Sequence, residues 1–345
     1  MEKKKVAIIG GGQVAETKHI SNYQDFDDIE IVAVLCRREA SACAFAERNG
    51  IARAYTDLSD LLAVEKPDMV SVCTPNKFHL KHVTEALKSG SHVLCEKPPG
   101  ISSQEAKAMH ELAESRGLVL AYNFQHRVSE AALTLKEKVQ EGMLGDVYYA
   151  KLSALRRSGV PGWGNFINKE LQGGGPLIDI GIHMLDSAFF ILGFPEVKKV
   201  TAKMFQKIGP FKEEGSFGSW NPDDYEVEDA LFGFIELANG GLIQVDTSFA
   251  LHMKQAKKLN IELCGDKAGA TLYPLEIYTD DKGELVTLLE QESSDDPERT
   301  AIHSFVRKCA GSTSEVIATG EEGYKVQQLV ELLYKSAEQG ETIYL

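Results

Sequence analysis

Two hydrophobic rhythms divide the chain. Over the first third, short runs rich in β-branched residues (KKVAIIG, EIVAVLC, ARAYT, DMVSVCT, HVLCEK and LVLAYN) alternate with stretches of helical apolar spacing, such as KFHLKHVTEALKSG and SSQEAKAMHELAESRG. The runs are almost continuously apolar, as expected of strands covered by helices on both faces of a parallel sheet. Helix-stop residues follow several helical stretches, at Asn49-Gly50, Gly90 and Gly117. Six strands joined by helices predict a doubly wound α/β domain, of the Rossmann type, over residues 1–126.

Beyond residue 126 the rhythm changes. A helix (SEAALTLKEKVQEG), a strand (DVYYAKLSAL), a loop rich in Gly and Trp and a second helix (LIDIGIHMLDSAFFIL) lead into strands in series: EVKKVTAKMF, DALFGFIEL, GLIQVDTSFA, LNIELCG, ATLYPL, EIYTDD and ELVTLLE. Asn239-Gly240 and Asp281-Lys282-Gly283 are hairpin signals. Two helices, TAIHSFVRKCA and EGYKVQQLVELLYKSAEQG, close the chain. Residues 127–345 are therefore predicted to form an α+β domain with a large, mostly antiparallel open sheet. Strands such as GLIQVDTSFA and DALFGFIEL are apolar at both parities, which predicts a homodimer or homotetramer built through that sheet.

Charge narrows the partners. Lys plus Arg is 37 against 51 for Asp plus Glu, a net charge of −14 that disfavours nucleic acid and anionic membrane surfaces. Apolar runs such as FFILGF fall far short of the roughly 20 residues of a membrane span. MEKKKVAIIGGG breaks into glycines before it could form a signal core, so a cytoplasmic protein is expected. The six cysteines include no CxxC pair, and the nine histidines no HExxH, so neither a disulfide framework nor a metal site is expected.

Two motifs carry chemistry. The first is Gly10-Gly11-Gly12-Gln13-Val14-Ala15, a GxGxxA between the first strand and its helix. Gly10 permits the tight turn and Gly12 a close backbone approach to a pyrophosphate, with Gln13 and Val14 opening the helix toward the phosphates. At the end of the second strand, where NAD enzymes place an acid, stand Cys36-Arg37-Arg38. Two guanidiniums suit a 2′-phosphate, which favours NADP over NAD; the alternative is stacking on adenine or exposure to solvent. The second motif is Cys95-Glu96-Lys97-Pro98-Pro99 at the end of the fifth strand, with Thr74-Pro75-Asn76 and His79 on the same sheet edge. Ligands bind at such strand ends, so Lys97 and its neighbours are candidate cofactor contacts.

With Gly173-Gly-Gly-Pro-Leu-Ile-Asp179-Ile-Gly-Ile-His183-Met-Leu-Asp186, Val227-Glu-Asp and Asn239-Gly, these motifs resemble the glucose–fructose oxidoreductase/inositol dehydrogenase (Gfo/Idh/MocA) family of NAD(P)-dependent oxidoreductases over nearly the whole chain. The resemblance implies a Rossmann domain followed by an open-sheet domain. It further implies that this sheet mediates oligomerisation and sets its substrate residues opposite the nicotinamide.

The residues agree with that implication. Asp179 and His183 are four apart and share a helix face, which Asp186 continues in a structural rather than chemical role. A histidine exchanges a proton near neutrality, which suits removal of a hydroxyl proton as hydride leaves the same carbon. The expected activity is reversible oxidation of a secondary alcohol on a sugar, cyclitol or polyol. His183 acts as base, Lys97 stabilises the developing alkoxide and Asp179 positions the hydroxyl. Asn123, Arg127 and Trp163 are candidate substrate contacts, Asn123 also a cofactor contact, and Trp163 has a loop-anchoring alternative. Gly173 to Gly175 are consistent with a substrate passing close to the backbone. Two other classes stay open: a non-catalytic NAD(P)-sensing regulator, and a redox-assisted lyase or glycosidase needing one further base.

Overall fold

The computed structural model describes residues 3–345. The chain forms two compact units, residues 1–125 with 296–327, and residues 126–295 with 328–345.

The first unit is built on β1 (Lys4–Ile9), β2 (Ile29–Leu35), β3 (Arg53–Tyr55), β4 (Met69–Val72), β5 (His92–Cys95) and β6 (Leu120–Tyr122). They pair in parallel in the order 6-5-4-1-2-3, so the order reverses at β1, beside the glycine turn. This is the predicted doubly wound sheet. Val6, Ala7, Ile8 and Ile9 are fully buried, and a side chain such as Ile contributes on the order of 1.5–3 kcal/mol when removed from water.

The domain boundary differs from the sequence-based expectation. Helix Pro297–Cys309, started by the Asp296 side-chain cap with Pro297 behind it, sends Ile302, Phe305 and Val306 into the first unit's core. The short strand Ala318–Thr319 then pairs antiparallel with β6. The division falls within the last helix, Gly320–Gln339. Strand order alone assigned all of 127–345 to the second domain, because these contacts span most of the chain length.

In the second unit the strands are β7 (Val147–Arg156), β8 (Val197–Phe205), β9 (Glu214–Gly215), β10 (Gly218–Ser219), β11 (Ala230–Leu237), β12 (Leu242–Ser248), β13 (Lys257–Gly265), β14 (Gly269–Thr271), β15 (Leu275–Asp281) and β16 (Glu284–Gln291). Apart from the small β9–β10 hairpin they form one sheet, in the order 16-15-14-13-7-12-11-8, closed by strand Ile343–Tyr344. Every neighbour is antiparallel except β7 with β12, and both sequence-predicted hairpins form. The helical run Leu177–Leu192 packs on one face of this sheet, against β7, β12 and β13. The stretch Lys169–Leu192 is long and apolar enough by composition to cross a membrane, and 78% of its apolar window is buried inside the fold.

Candidate functional site

In the first unit the site is assembled at the carboxyl ends of β1, β2, β4, β5 and β6. Gly10 has φ +101°, and a Cβ there would stand 2.7 Å from the Cys73 carbonyl oxygen, so no other residue fits the turn. A Cβ on Gly12 would meet no protein atom within 4 Å. Protein packing therefore does not demand that glycine, whereas a ligand against the backbone would. Gly12, Gln13 and Val14 are exposed at the start of the first helix, whose N–H groups favour an anion. Arg37 and Arg38 follow β2 as exposed side chains, and Cys36 packs its sulfur toward Gly11.

The first helix widens into a π-turn over Ala15–Ile20 and carries His19 into the interior. His19 Nδ1 lies 3.0 Å from Ser71 Oγ, and its Nε2 lies 2.8 Å from Glu96 Oε1. Tyr23 completes the set through Ser71 at 2.8 Å, which satisfies a hydroxyl in the middle of a buried strand. Burial opposes a charged imidazole here, but the Cys73 sulfur and the Glu96 carboxylate outweigh it and raise the His19 pKa to about 10. Burial pushes the Cys73 thiol up, so near neutrality Glu96 is the anionic partner. Burial also works to raise Glu96, yet His19, Asn123 and Lys97 hold its carboxyl below the ordinary value.

Asn123 Nδ2 donates to Glu96 Oε1 at 2.8 Å and to Glu298 Oε2 at 3.3 Å, while its buried Oδ1 has no hydrogen-bond partner among the described residues. An orphaned acceptor at a strand end, an open Gly12 and an exposed helix N-terminus together fit a dinucleotide. Lys97 is half-buried directly after Glu96.

In the second unit, the helical run carrying Asp179 and His183 starts from a fixed anchor. Glu228 accepts from the backbone N–H of Gly175 at 2.9 Å and of Leu177 at 3.3 Å, and from Tyr334 Oη at 2.7 Å. Burial raises the Glu228 pKa against these bonds. A Cβ on Gly174 would stand 2.2 Å from Tyr334 Oη, and one on Gly175 2.7 Å from the Glu228 carbonyl. The close approach these glycines permit is to protein, which corrects the reading of a passing substrate. Asp179 lies in the π-helical turn Leu177–Gly181, half-buried, and His183 follows on helix Ile182–Leu192.

One neighbour of this pair, His126, went unnoticed in the sequence. The His126 ring sits edge-on to His183, with centroids 5.2 Å apart, and its Nδ1 lies 3.1 Å from Tyr273 Oη. Arg156 lies within the field of Asp179; burial lowers its pKa and the Asp179 charge works against that.

Two candidates lose their assigned roles. Arg127, proposed to contact substrate, is fully buried and binds Asp186 through two hydrogen bonds of 2.9 and 2.5 Å, with its guanidinium over the Phe190 ring. The pair ties the short turn that carries Arg127 to helix Ile182–Leu192, and it gives Asp186 the structural role expected of it. His79, proposed to contact the cofactor, is also fully buried, with ring nitrogens 2.8 Å from the carbonyl oxygens of Pro98 and Thr74. It braces the loop carrying Thr74, Pro75 and Asn76 against the one carrying Lys97. The Glu96 carboxylate meets both His19 and Asn123 through Oε1, which fixes its orientation at the end of β5. Trp163, by contrast, is 54% exposed and is no buried loop anchor.

Comparison with known proteins places these features in a family. Residues 4–124 match the family model for an oxidoreductase NAD-binding Rossmann fold (GFO_IDH_MocA), and residues 136–345 match the accompanying C-terminal alpha/beta domain. The chain is 51% identical over 342 residues to D-glucoside 3-dehydrogenase of Escherichia coli K12, covering 99% of this chain and 97% of that protein. It is 26% identical to a scyllo-inositol 2-dehydrogenase (NADP(+)) of Bacillus subtilis, covering 99% and 96%. Levoglucosan dehydrogenase, solved with NADH and levoglucosan, shares the fold with a TM-score of 0.84 at 20% identity, covering 99% of both chains.

Proposed function

The chain belongs to the Gfo/Idh/MocA oxidoreductase family, and on that premise we propose that it oxidises the C3 hydroxyl of a D-glucoside. It is a nicotinamide-dependent oxidoreductase acting on a sugar CH–OH group. The observation that carries the C3 assignment is identity of 51% across 99% of the chain to a D-glucoside 3-dehydrogenase.

Each residue then has a task. Gly10, Gly12 and the helix N-terminus at Gln13 and Val14 hold the pyrophosphate, and Asn123 Oδ1 offers an acceptor to the cofactor. The nicotinamide supplies the hydride acceptor. His183 takes the hydroxyl proton, and the Lys97 ammonium donates a hydrogen bond to the oxygen as its negative charge develops. Asp179 accepts from a substrate hydroxyl and keeps the His183 end of the helix oriented to the sugar. His183 itself is kept in place by the anchored helix and the edge contact of His126.

Two further parts of this proposal concern the cofactor and the assembly. The dinucleotide is NADP, because the end of β2 offers exposed Arg37 and Arg38 and no carboxylate. The protein assembles as a homo-oligomer through the sheet face opposite helix Ile182–Leu192. Phe205 and Phe234 stand 43% and 46% exposed there, and Phe232 packs against Phe205. Light scattering on the full chain checks the assembly, and a monomer that persists at high concentration would contradict it.

The activity is tested by offering methyl β-D-glucoside and myo-inositol with NADP or NAD, following reduced nicotinamide and locating the new carbonyl by NMR. A 3-keto glucoside is expected. A carbonyl at another carbon would overturn the C3 assignment, and product without net cofactor reduction would favour a redox-assisted lyase.

A further inference from the structure

At the end of β7 the chain turns through residues 157–168 and meets the β9–β10 hairpin. The two loops are fastened backbone to backbone: Gly162 N donates to the Phe217 carbonyl at 2.8 Å, and Ser216 N to the Ser158 carbonyl at 2.8 Å. Gly162 has no room for a Cβ, which would stand 2.4 Å from Ser219 N. The hairpin is fixed at its base as well. Trp220 Nε1 donates to the Gly209 carbonyl at 2.9 Å, and the Asp229 carboxylate accepts from Gly209 N at 2.8 Å and from Ile208 N at 2.6 Å.

This scaffold holds an aromatic surface in water. The Trp163 ring lies 5.8 Å from that of Phe217 and 6.3 Å from that of Phe166, while Trp163 and Phe217 remain 54% and 38% exposed. Phe217 also carries the Arg156 guanidinium, 4.9 Å from its ring centroid. Arg156 is bonded to the Gly159 carbonyl at 3.2 Å, lies 5.8 Å from the Phe249 ring centroid and interacts with the Asp179 charge. An unbroken series of contacts and charge interaction therefore runs from Trp163 through Phe217 and Arg156 to the aspartate of the candidate catalytic helix. The hydrogen bonds and glycines of the two loops preset the aromatic faces at little ordering cost, a feature of binding surfaces.

We propose that Trp163 and Phe217 form a subsite for a ring attached to the anomeric oxygen of the reacting glucose, stacked with an offset on the exposed face of Trp163. The proposal rests on the glucoside reading above and adds to it that the preferred substrate carries a second ring, aryl or glycosyl, in place of a small alkyl group. Stacking suits both, since an aromatic face accepts the π-face of an aryl group and the CH face of a pyranose. Arg156 keeps Phe217 at the edge of the stack.

The test compares phenyl β-D-glucoside and cellobiose with methyl β-D-glucoside, using cofactor-loaded native protein, Trp163→Ala and Trp163→Phe. The ratio of kcat/KM for a ringed substrate to that for the methyl glucoside should fall roughly three- to tenfold in Trp163→Ala and recover largely in Trp163→Phe. A fall confined to phenyl glucoside assigns an aryl group, and one confined to cellobiose a sugar. A ratio equal in all three proteins would overturn the subsite. Quenching of tryptophan emission by ringed glucosides, compared between native protein and Trp163→Phe, reads the subsite without turnover. Quenching that needs Trp163 in a protein that oxidises none of these sugars would support the subsite while the dehydrogenase reading of glucosides fails. No Trp163-dependent quenching would overturn the subsite.

Discussion

His19 Nε2 lies 2.8 Å from Glu96 Oε1, and this contact joins the first helix of the dinucleotide-binding unit to the residue preceding Lys97. As an imidazolium, His19 donates from both ring nitrogens, to Ser71 and to Glu96, while Glu96 also receives Asn123. The loop that presents Lys97 is thus held by a buried ion pair rather than by packing alone.

The pair should have a pH signature. The folded pKa of His19 is raised from 6.5 to about 10, so its contribution to stability is complete below 6.5, shrinks as pH rises and is lost above about 10. Glu96, with its pKa lowered, contributes above the ordinary carboxylate range and loses that contribution as pH falls through its folded pKa. His19→Ala should cost about 3–5 kcal/mol near pH 6, since it strands a buried carboxylate. Thermal melts from pH 6 to 10 check it: native and variant should converge toward alkaline pH, and a constant gap would contradict the charged pair.

Arg127 and Asp186 make the same point about structure rather than substrate. Asp186→Asn should destabilise the second unit by about 3–5 kcal/mol and leave KM for sugar nearly unchanged in whatever fraction stays folded. Denaturant unfolding and steady-state kinetics on one preparation separate the two effects. A large rise in KM without loss of stability would return Arg127 to the substrate contacts.

Arg37→Ala should weaken NADP by roughly tenfold or more, the loss of one charge-assisted hydrogen bond, and leave NAD little changed. Equilibrium titration of both cofactors checks this. Equal losses would show that Arg37 does not read the 2′-phosphate.

His183→Ala should lower kcat by roughly 10²–10⁴-fold and remove the limb of the pH–rate profile that a histidine base produces. A profile unchanged in shape would assign the base elsewhere, with His126, whose ring meets that of His183 edge-on, the first alternative.

What the sequence revealed follows from the range of each interaction. Gly10, Lys97, Asp179 and His183 are legible because strand and helix periodicity places them within a few residues of a turn or strand end. The partners of charged residues are not legible. Nothing local to Arg127 points to Asp186, which lies 59 residues away. Nothing near His79 shows that both ring nitrogens meet backbone carbonyls. Helix Pro297–Cys309 and Glu298 return to the first unit through contacts that span most of the chain, and no pattern within that helix announces its destination. Trp163 was legible as a candidate contact, and its exposure and its fastening to Phe217 came only with the fold.

The most direct test of the central claim follows the hydride, using methyl β-D-glucoside deuterated at C3, with native enzyme and Lys97→Ala. In the native enzyme the deuterium should appear on the reduced nicotinamide as the 3-keto sugar accumulates. Lys97→Ala should bind cofactor normally and slow the transfer by roughly 10²–10³-fold, the cost of losing one donor to the developing oxyanion. Deuterium retained at C3 or released to water by the native enzyme, or transfer at the native rate in Lys97→Ala, would contradict the account.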